Sequence, residues 1–291
     1  MSLDLRAALR LAIPPFAAGK AITLGAGWLT VWVTSPAVGL PSWDQLLQGL
    51  SNWDGESYRA IADTGYPAGP LDLHLHAAGH LWAFFPGLPI AVHLVRYVIL
   101  DTVLAALLVN AACGLLAMAY LARLVDLERR DARSAETAVW ALALYPYAVF
   151  LTVFYTEAPF LAAASASLYY MRRGAPGDHA RACAMGMLAS TTRITGLALL
   201  LPLAIERLRH RRRIVDVQLP LVLLVVLPLA AFMLYAHEHS GDALAWFHVE
   251  VSESFGSRSL DWPWNGLSNT WANATSLPAD RYGFVFTLEA V

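Results

Sequence analysis

Six long apolar segments constrain the fold of this chain more than any other feature. They cover residues 11–33, 97–125, 137–155, 158–171, 182–205 and 214–236. About 20 residues of α-helix cross a hydrocarbon core of about 30 Å, and a backbone in lipid must satisfy its own hydrogen bonds. With 57% hydrophobic and 14% charged residues, the sequence predicts an all-α polytopic membrane protein, with one integral membrane domain over residues 1–291.

The two ends of the chain carry separate expectations. Arg6 and Arg10 precede the first segment, as in a cleaved signal peptide. That segment is longer than a usual signal-peptide core and no clean cleavage pattern follows it, so we interpret it as a retained span. A last apolar run begins near Tyr282 and resembles the start of another span. We therefore expect further C-terminal spans to be missing.

The arginines predict which side of the membrane each segment faces. They cluster at residues 123–133, 172–181 and 207–213, and cytoplasmic flanks of membrane helices carry an excess of basic residues. The outer loops are then residues 34–96 and 237–280. Because almost all basic residues are arginine, we expect a bacterial cell membrane, with these loops outside the cytoplasm.

Segment 182–205 has an arginine cluster at each end, which conflicts with a single crossing. One interpretation is a re-entrant hairpin of two short half-helices, with its tip at residues 191–196. Non-helical backbone at that depth requires a protein-lined cavity. The other interpretation is one ordinary tilted helix.

Acidic residues follow the first segment, where a carboxylate can meet both lipid and water. We expect a helix that begins near Trp53 and is capped by Ser51 or Asn52. Asp54 and Tyr58 then share one helical face. The helix dipole favours an ionised Asp54, which could accept the proton of an attacking hydroxyl. The alternative is an acid that only stabilises its own helix.

Two cations and one acid lie within or beside the apolar segments. Burying Lys20 or Arg193 would cost roughly 2.5–3.5 kcal/mol on insertion scales, so both should face protein, water or an anion. They are candidate ligands of a lipid phosphate. Alternatively, Lys20 snorkels and Arg193 pairs with Asp101 or Glu157. Glu157 could hold an acceptor hydroxyl or cap its own helix.

A histidine cluster in the first outer loop is the only pattern that suggests a metal. His74, His76 and His80 have a spacing that could ligate a divalent ion on a helix, but no cysteine or firm carboxylate set completes the site. We expect a solvated loop, no metal and no cofactor. The sequence also lacks a Walker A motif, a GxSxG elbow and a DxD pair. We expect no nucleic-acid partner, and an outward-facing sugar enzyme would use a lipid-linked donor.

Seven short motifs occur in a characteristic order along the chain. They are WDG…Y at 53–58, GY at 65–66, FFP at 84–86, ALYP at 143–146, YTE at 155–157, TRITG at 192–196 and GDALAW at 241–246. Their order resembles that of the PIG-V-type mannosyltransferases of the GT-C superfamily, and the last motif resembles a block in bacterial members. One departure is that Gly87-Leu88-Pro89 follows Pro86, where family members usually have Leu-Tyr-Pro.

The resemblance implies a GT-C-like bundle of transmembrane helices with extracytoplasmic loops and short half-helices. It also implies an inverting transfer of mannose from polyprenyl-phosphate mannose to a hydroxyl of a lipid, glycan or protein acceptor. Asp54 would be the catalytic base. The candidate substrate-binding residues are Glu56, Tyr58, Glu157, Arg193 and Lys20. The alternatives are a transporter or flippase of a lipid-linked or polar solute, and a non-catalytic truncated homologue.

Overall fold

The computed structural model describes residues 3–34, 40–71, 79–210, 218–252 and 262–276. Within these ranges there is no strand, which confirms the predicted all-α fold class. The α-helices are α1 (Leu5–Thr34), α2 (Trp43–Gly49), α3 (Asp54–Thr64), α4 (Gly87–Val95), α5 (Thr102–Arg129), α6 (Ala132–Leu144), α7 (Glu157–Arg173), α8 (Asp178–Thr192), α9 (Leu200–His210), α10 (Leu227–Ser240), α11 (Ala245–Glu250) and α12 (Pro263–Ser276). The described residues also form 3₁₀ helices at Gly79–Ala83, Pro146–Leu151, Ile194–Leu199 and Leu219–Val226.

Three helical segments in the described part of the chain are long and apolar enough to cross a membrane. They are Leu5–Val33, Thr102–Arg129 and Leu219–Ser240. The other predicted segments are shorter or interrupted: α7 has 17 residues and α8 has 15. A helix of 17 residues is about 25 Å long. The membrane crossing of these shorter segments stays a prediction.

Helix α5 lies at the centre of the bundle and packs against α1, α6 and α7. It buries small side chains, among them Ala106, Ala119 and Ala122, which are fully buried. Small residues let helix backbones approach closely, which is how helices associate when lipid removes most of the hydrophobic driving force. Ala8 and Ala12 of α1 are buried in the same way, so α1 is part of this packing.

Ion pairs and hydrogen bonds bring several helix ends together at one end of the bundle. The Leu3 amide donates to Asp126 near the end of α5 (2.7 Å). Arg172, at the end of α7, pairs with Glu128 of α5 (2.5 Å) and with Glu206 of α9 (2.9 Å). The arginine clusters predicted from the sequence therefore begin at the same end of the bundle. We call it the arginine-rich end.

The chain after α8 folds back on α8 as a hairpin. Arg193 ends α8 in an extended conformation, with φ −153° and ψ 144°. Beyond it, Gly196 lies against the last turn of α8, and Leu203 lies against Gly186. Glu206 then returns to the arginine-rich end. The two arms are antiparallel, and the re-entrant placement of this hairpin in a membrane stays a prediction.

Two glycines permit close backbone contacts at the tip of this hairpin. A Cβ atom on Gly87 would lie 2.7 Å from the Thr191 carbonyl oxygen, and a Cβ on Gly196 would lie 2.5 Å from the Ser190 Cα. Neither contact can be relieved by a side-chain rotation, since the backbone is in the way. This accounts for glycine after Pro86, because a leucine there could not approach α8.

We predict that Gly87→Ala and Gly196→Ala each lower the melting temperature of the purified protein. Overpacking of this kind costs typically about 1–3 kcal/mol. Thermal unfolding in detergent, followed by tryptophan fluorescence, measures the shift. Gly25→Ala is the matched control, since a Cβ there meets nothing within 4 Å. Equal melting temperatures for all three variants would contradict the packing described.

Candidate active site

Three of the predicted site residues, all of them charged, lie around the buried phenol of a fourth, Tyr58. Its side chain is 7% exposed, and its hydroxyl lies 3.4 Å from the Thr156 hydroxyl. Burial raises the pKa of Tyr58 above its usual value; the charges of Asp54 and Glu157 raise it further, and Arg193 lowers it. All three charges therefore act electrostatically on the Tyr58 phenol. We call Asp54, Tyr58, Glu157 and Arg193 the Tyr58 cluster.

Arg193 and Glu157 form an ion pair across the tip of the α8 hairpin. Arg193 Nη1 donates to Glu157 Oε1, with side chains 40% and 27% exposed. Of the two predicted partners, Arg193 therefore contacts Glu157. The Asp101 carboxylate instead accepts from the Leu104 amide (2.7 Å) at the start of α5. A guanidinium has five N–H donors, so Arg193 keeps donors for a ligand.

The second carboxylate oxygen of Glu157 is the acceptor best placed to bind a ligand. Oε2 is buried and accepts no hydrogen bond within the described part of the chain. Leaving a buried acceptor unsatisfied costs about 1–3 kcal/mol. A hydroxyl group of a bound substrate would satisfy it.

Asp54 is exposed and is the first residue of α3, as predicted from its place in the sequence. The expected cap is wrong, however. The Ser51 hydroxyl donates backwards to the Leu47 carbonyl (3.1 Å), and the cap position is Trp53, which has no capping side chain. Trp53 has φ 57° and ψ −120°, a conformation that costs a non-glycine residue of order 1–3 kcal/mol.

Both ends of α3 are held by neighbouring elements. At its start, the Phe154 amide donates to the Leu50 carbonyl (2.9 Å), which ties the loop before α7 to the turn before α3. At its end, Asp63 accepts from Arg96 (2.8 Å) and from Thr102 of α5 (2.6 Å). These contacts fix the face of α3 that carries Tyr58.

Asn110 positions the other half of the cluster, a role that was not predicted from the sequence. It is fully buried in α5, and its amide donates to the carbonyls of Val153 and Tyr155 (2.9 Å for the latter). These carbonyls belong to the loop that leads into Glu157. The signal was a lone amide within the apolar segment 97–125, since a polar side chain in such a segment requires partners inside the protein.

Tyr155 brings a second phenol to the edge of the site. Burial, followed by the charge of Asp54, raises the pKa of Tyr155 to about 12. Its hydroxyl donates to the Asn52 carbonyl (3.4 Å) in the turn before Asp54. Tyr155 therefore stays neutral at physiological pH and connects the two loops that carry the acids.

The remaining candidates lie outside the Tyr58 cluster. Glu56 is exposed and follows Asp54 by two residues, which turns it about 200° around the helix axis. The Lys20 ammonium donates to the Leu151 carbonyl (2.8 Å) and lies 5.3 Å from the centre of the Phe16 ring. The proposed substrate contacts of Glu56 and Lys20 stay predictions.

The histidine pattern has one member in the described part of the chain. His80 lies in the 3₁₀ helix Gly79–Ala83, whereas His74 and His76 fall outside the described residues. Among the residues that are described, no three His, Cys, Asp or Glu side chains come together as a metal site.

Comparison with known proteins identifies the family. The model of the mannosyltransferase (PIG-V) family matches residues 30–240, which include the whole Tyr58 cluster. The chain belongs to this family. The predicted resemblance is confirmed, and the protein is a membrane glycosyltransferase. No curated protein and no solved structure matches the chain.

We predict that Asn110→Leu lowers both the stability and the activity of this PIG-V family member. The change leaves the Tyr155 carbonyl without its donor, at about 1–3 kcal/mol, and removes one of two donors to the Val153 carbonyl, which releases the loop before Glu157. Thermal unfolding and a mannosyl transfer assay measure the two effects. Leu108→Ala is the control, because Leu108 is 46% exposed on the same helix. Wild-type activity in a folded Asn110→Leu variant would contradict the positioning role.

Proposed function

We propose that this glycosyltransferase moves mannose from polyprenyl-phosphate mannose to an acceptor hydroxyl in one inverting step. The observation that carries the proposal is the Tyr58 cluster. Around the Tyr58 phenol it places the exposed Asp54 carboxylate and the Arg193 guanidinium, which has donors left for a ligand. It also places there the Glu157 carboxylate, one oxygen of which accepts no hydrogen bond within the described residues. The family match supports the sugar, and the membrane-length helices support a donor that resides in lipid.

Asp54 acts as the general base in this proposal. It accepts the acceptor's hydroxyl proton while that oxygen forms a bond to the anomeric carbon of mannose. The bond from the anomeric carbon to the phosphate oxygen breaks, and polyprenyl phosphate leaves with the bonding electron pair. A single displacement of this kind inverts the configuration at the anomeric carbon. Asp54 is exposed in the first turn of α3, where the helix dipole stabilises negative charge.

Arg193 stabilises the departing phosphate. Negative charge grows on the phosphate oxygens as the bond breaks, and fixed donors aimed at that charge lower the barrier. Glu157 holds the guanidinium in place through one oxygen. Its other oxygen accepts a hydrogen bond from a sugar hydroxyl, and Tyr58 orients the substrate from the buried side.

The Tyr58 cluster faces away from the cytoplasm in this proposal. Helix α7 begins at Glu157 in the cluster and ends beside Arg172 at the arginine-rich end, so the two lie at opposite ends of that helix. An arginine-rich end is typically cytoplasmic. The site then lies on the outer side of a bacterial cell membrane, where lipid-linked donors replace nucleotide sugars.

We predict that Asp54→Asn lowers kcat by about 10²–10⁴, the range for loss of a general base, without loss of fold. The assay uses purified protein, polyprenyl-phosphate mannose and a panel of hydroxyl acceptors. Asp44→Asn is the matched control, because Asp44 is an exposed carboxylate in the first turn of α2, and this variant should retain most activity. Full transfer by a folded Asp54→Asn variant would overturn the assignment.

We predict that Arg193→Met also lowers kcat, by about 10²–10³. Arg193→Lys should restore part of this loss, because it keeps the charge but loses the fork of donors. A loss that appears only in KM for the acceptor would contradict a role at the phosphate.

Sidedness is tested by cysteine labelling in intact cells, with Cys113 and Cys183 replaced by alanine. We predict that a membrane-impermeant maleimide labels Glu56→Cys from outside and labels Arg130→Cys only after permeabilisation. Both positions are exposed. The reverse pattern would place the Tyr58 cluster in the cytoplasm.

A further inference from the structure

Arginine and tyrosine side chains meet at the arginine-rich end, where α5 packs against α7 and α7 packs against α8. This region is distinct from the Tyr58 cluster, because Glu157 and Arg173 are at opposite ends of α7, about 24 Å apart at 1.5 Å per residue. We call the set the arginine–tyrosine cluster; it consists of Tyr120 and Arg123 on α5, Tyr169, Tyr170 and Arg173 on α7, and Arg181 on α8.

Two tyrosine rings connect the three guanidinium groups. The Cζ atoms of Arg123 and Arg173 lie 4.1 and 5.4 Å from the centre of the Tyr169 ring. The Cζ atoms of Arg173 and Arg181 lie 5.3 and 5.9 Å from the centre of the Tyr170 ring. An aromatic face attracts a cation, but a tyrosine ring carries no net charge. The rings therefore hold the arginines together without neutralising them.

Asp178 is the carboxylate that binds this cluster. Its side chain is fully buried and accepts from Arg173 through both oxygens (2.7 and 2.5 Å). The oxygen at 2.5 Å also accepts from Arg181 Nη1 (3.1 Å). Two guanidinium groups therefore share one carboxylate, which leaves an excess of positive charge.

Arg123 adds a third positive charge. It is 7% exposed, and its Nε donates to the Leu3 carbonyl (3.2 Å). Among the described residues, no carboxylate oxygen lies within 4.0 Å of its nitrogens, since Glu128 and Glu206 pair with Arg172 instead. A guanidinium removed from water without a counter-ion is unfavourable. An anion near the cluster would therefore be stabilised.

An exposed apolar row on α5 leads to the cluster. Leu108, Ala112 and Leu116 are exposed and four residues apart, so they form one row along the helix. Tyr120 continues the row, and its hydroxyl lies 2.9 Å from the Tyr170 hydroxyl. From residue 108 to residue 120 the helix rises about 18 Å, close to the roughly 15 Å of hydrocarbon in one leaflet. One acyl chain fits along this row.

We infer that the arginine–tyrosine cluster binds the phosphate of an anionic phospholipid, with an acyl chain along the exposed row of α5. Arg173 and Arg181, whose side chains are 28% and 57% exposed, donate to the phosphate oxygens. Arg123 supplies charge from behind them. Guanidinium groups suit phosphate because their forked donors form two parallel hydrogen bonds. The occupant is a lipid rather than a free phosphate, because the cluster continues into an apolar row on a membrane-length helix.

This site lies outside the transfer reaction proposed above and does not depend on it. In the proposed orientation the cluster faces the cytoplasmic leaflet, where basic pockets between membrane helices bind anionic head groups. A lipid held there contacts α5, α7 and α8 together. Because it binds the folded bundle, it should also stabilise that bundle.

Photolabelling of the full chain in nanodiscs tests the site. The discs contain phosphatidylcholine and a trace of phosphatidylglycerol that carries a diazirine in one acyl chain, and labelled peptides are mapped by mass spectrometry. We expect labels within residues 108–120, and displacement of the probe by unlabelled phosphatidylglycerol. Arg181→Gln should raise the amount needed for half displacement about tenfold, as for loss of a hydrogen bond to a charged group. Arg181→Lys should recover part of this loss, because it keeps the charge without the fork.

The matched control is Arg133→Gln, which removes an exposed arginine from α6 at the same end of the bundle. It should displace like the wild type. Equal shifts for Arg181→Gln and Arg133→Gln would show only a general attraction of charges and would overturn the site. Labels outside α5, α7 and α8 would also overturn it. Displacement by soluble glycerol phosphate would assign the cluster to a free phosphate instead and contradict the lipid.

Thermal unfolding of the wild type in detergent provides a test that needs no variant. We expect added phosphatidylglycerol to raise the melting temperature, and phosphatidylcholine or glycerol phosphate at the same concentration to leave it unchanged. Arg181→Gln should reduce the rise and Arg133→Gln should preserve it. An equal rise with both lipids, or no rise with phosphatidylglycerol, would contradict a specific site for an anionic lipid.

Discussion

The active site depends on how two backbone carbonyls are satisfied inside an apolar bundle. The loop before α7 is not helical, so the carbonyls of Val153 and Tyr155 lack helical partners. The Asn110 amide of α5 donates to both carbonyls, and the Val153 carbonyl also accepts from the Tyr155 amide (2.7 Å). The same loop pairs with Leu50 before α3 and leads into Glu157, so Asn110 helps to hold the two halves of the site together.

Much of the fold follows from apolar length and charge. The long segments of α1 and α5 predict spans because their helices exceed the thickness of a bilayer. The arginine clusters at both ends of segment 182–205 left two interpretations open, a hairpin and one tilted helix, and the chain does turn at Arg193. The hairpin was predictable as one of the two because a single crossing would put one arginine cluster on the wrong side of the membrane.

The site was predictable only in part. The spacing of Asp54 and Tyr58 places them on one turn of α3, and one of the two partners proposed for Arg193, Glu157, is its partner in the fold. The positive φ of Trp53 was not predictable, because nothing local favours it in a tryptophan. Asn110 and Gly87 were also missed, since their roles come from elements that are distant in sequence. The contact of Lys20 with the Leu151 carbonyl shows that a partly buried cation in an apolar segment can be satisfied without a substrate.

The two ends of α7 have different roles. One end carries Arg172, whose ion pairs join neighbouring helices at the arginine-rich end, and the other end presents Glu157 to Arg193.

The most direct test is an experimental structure of the protein with a polyprenyl-phosphate mannose analogue bound. The account predicts a phosphate oxygen within hydrogen-bonding distance of Arg193, about 3 Å, and an anomeric carbon that faces Asp54. A phosphate bound elsewhere, with Arg193 and Asp54 on separate surfaces, would contradict it.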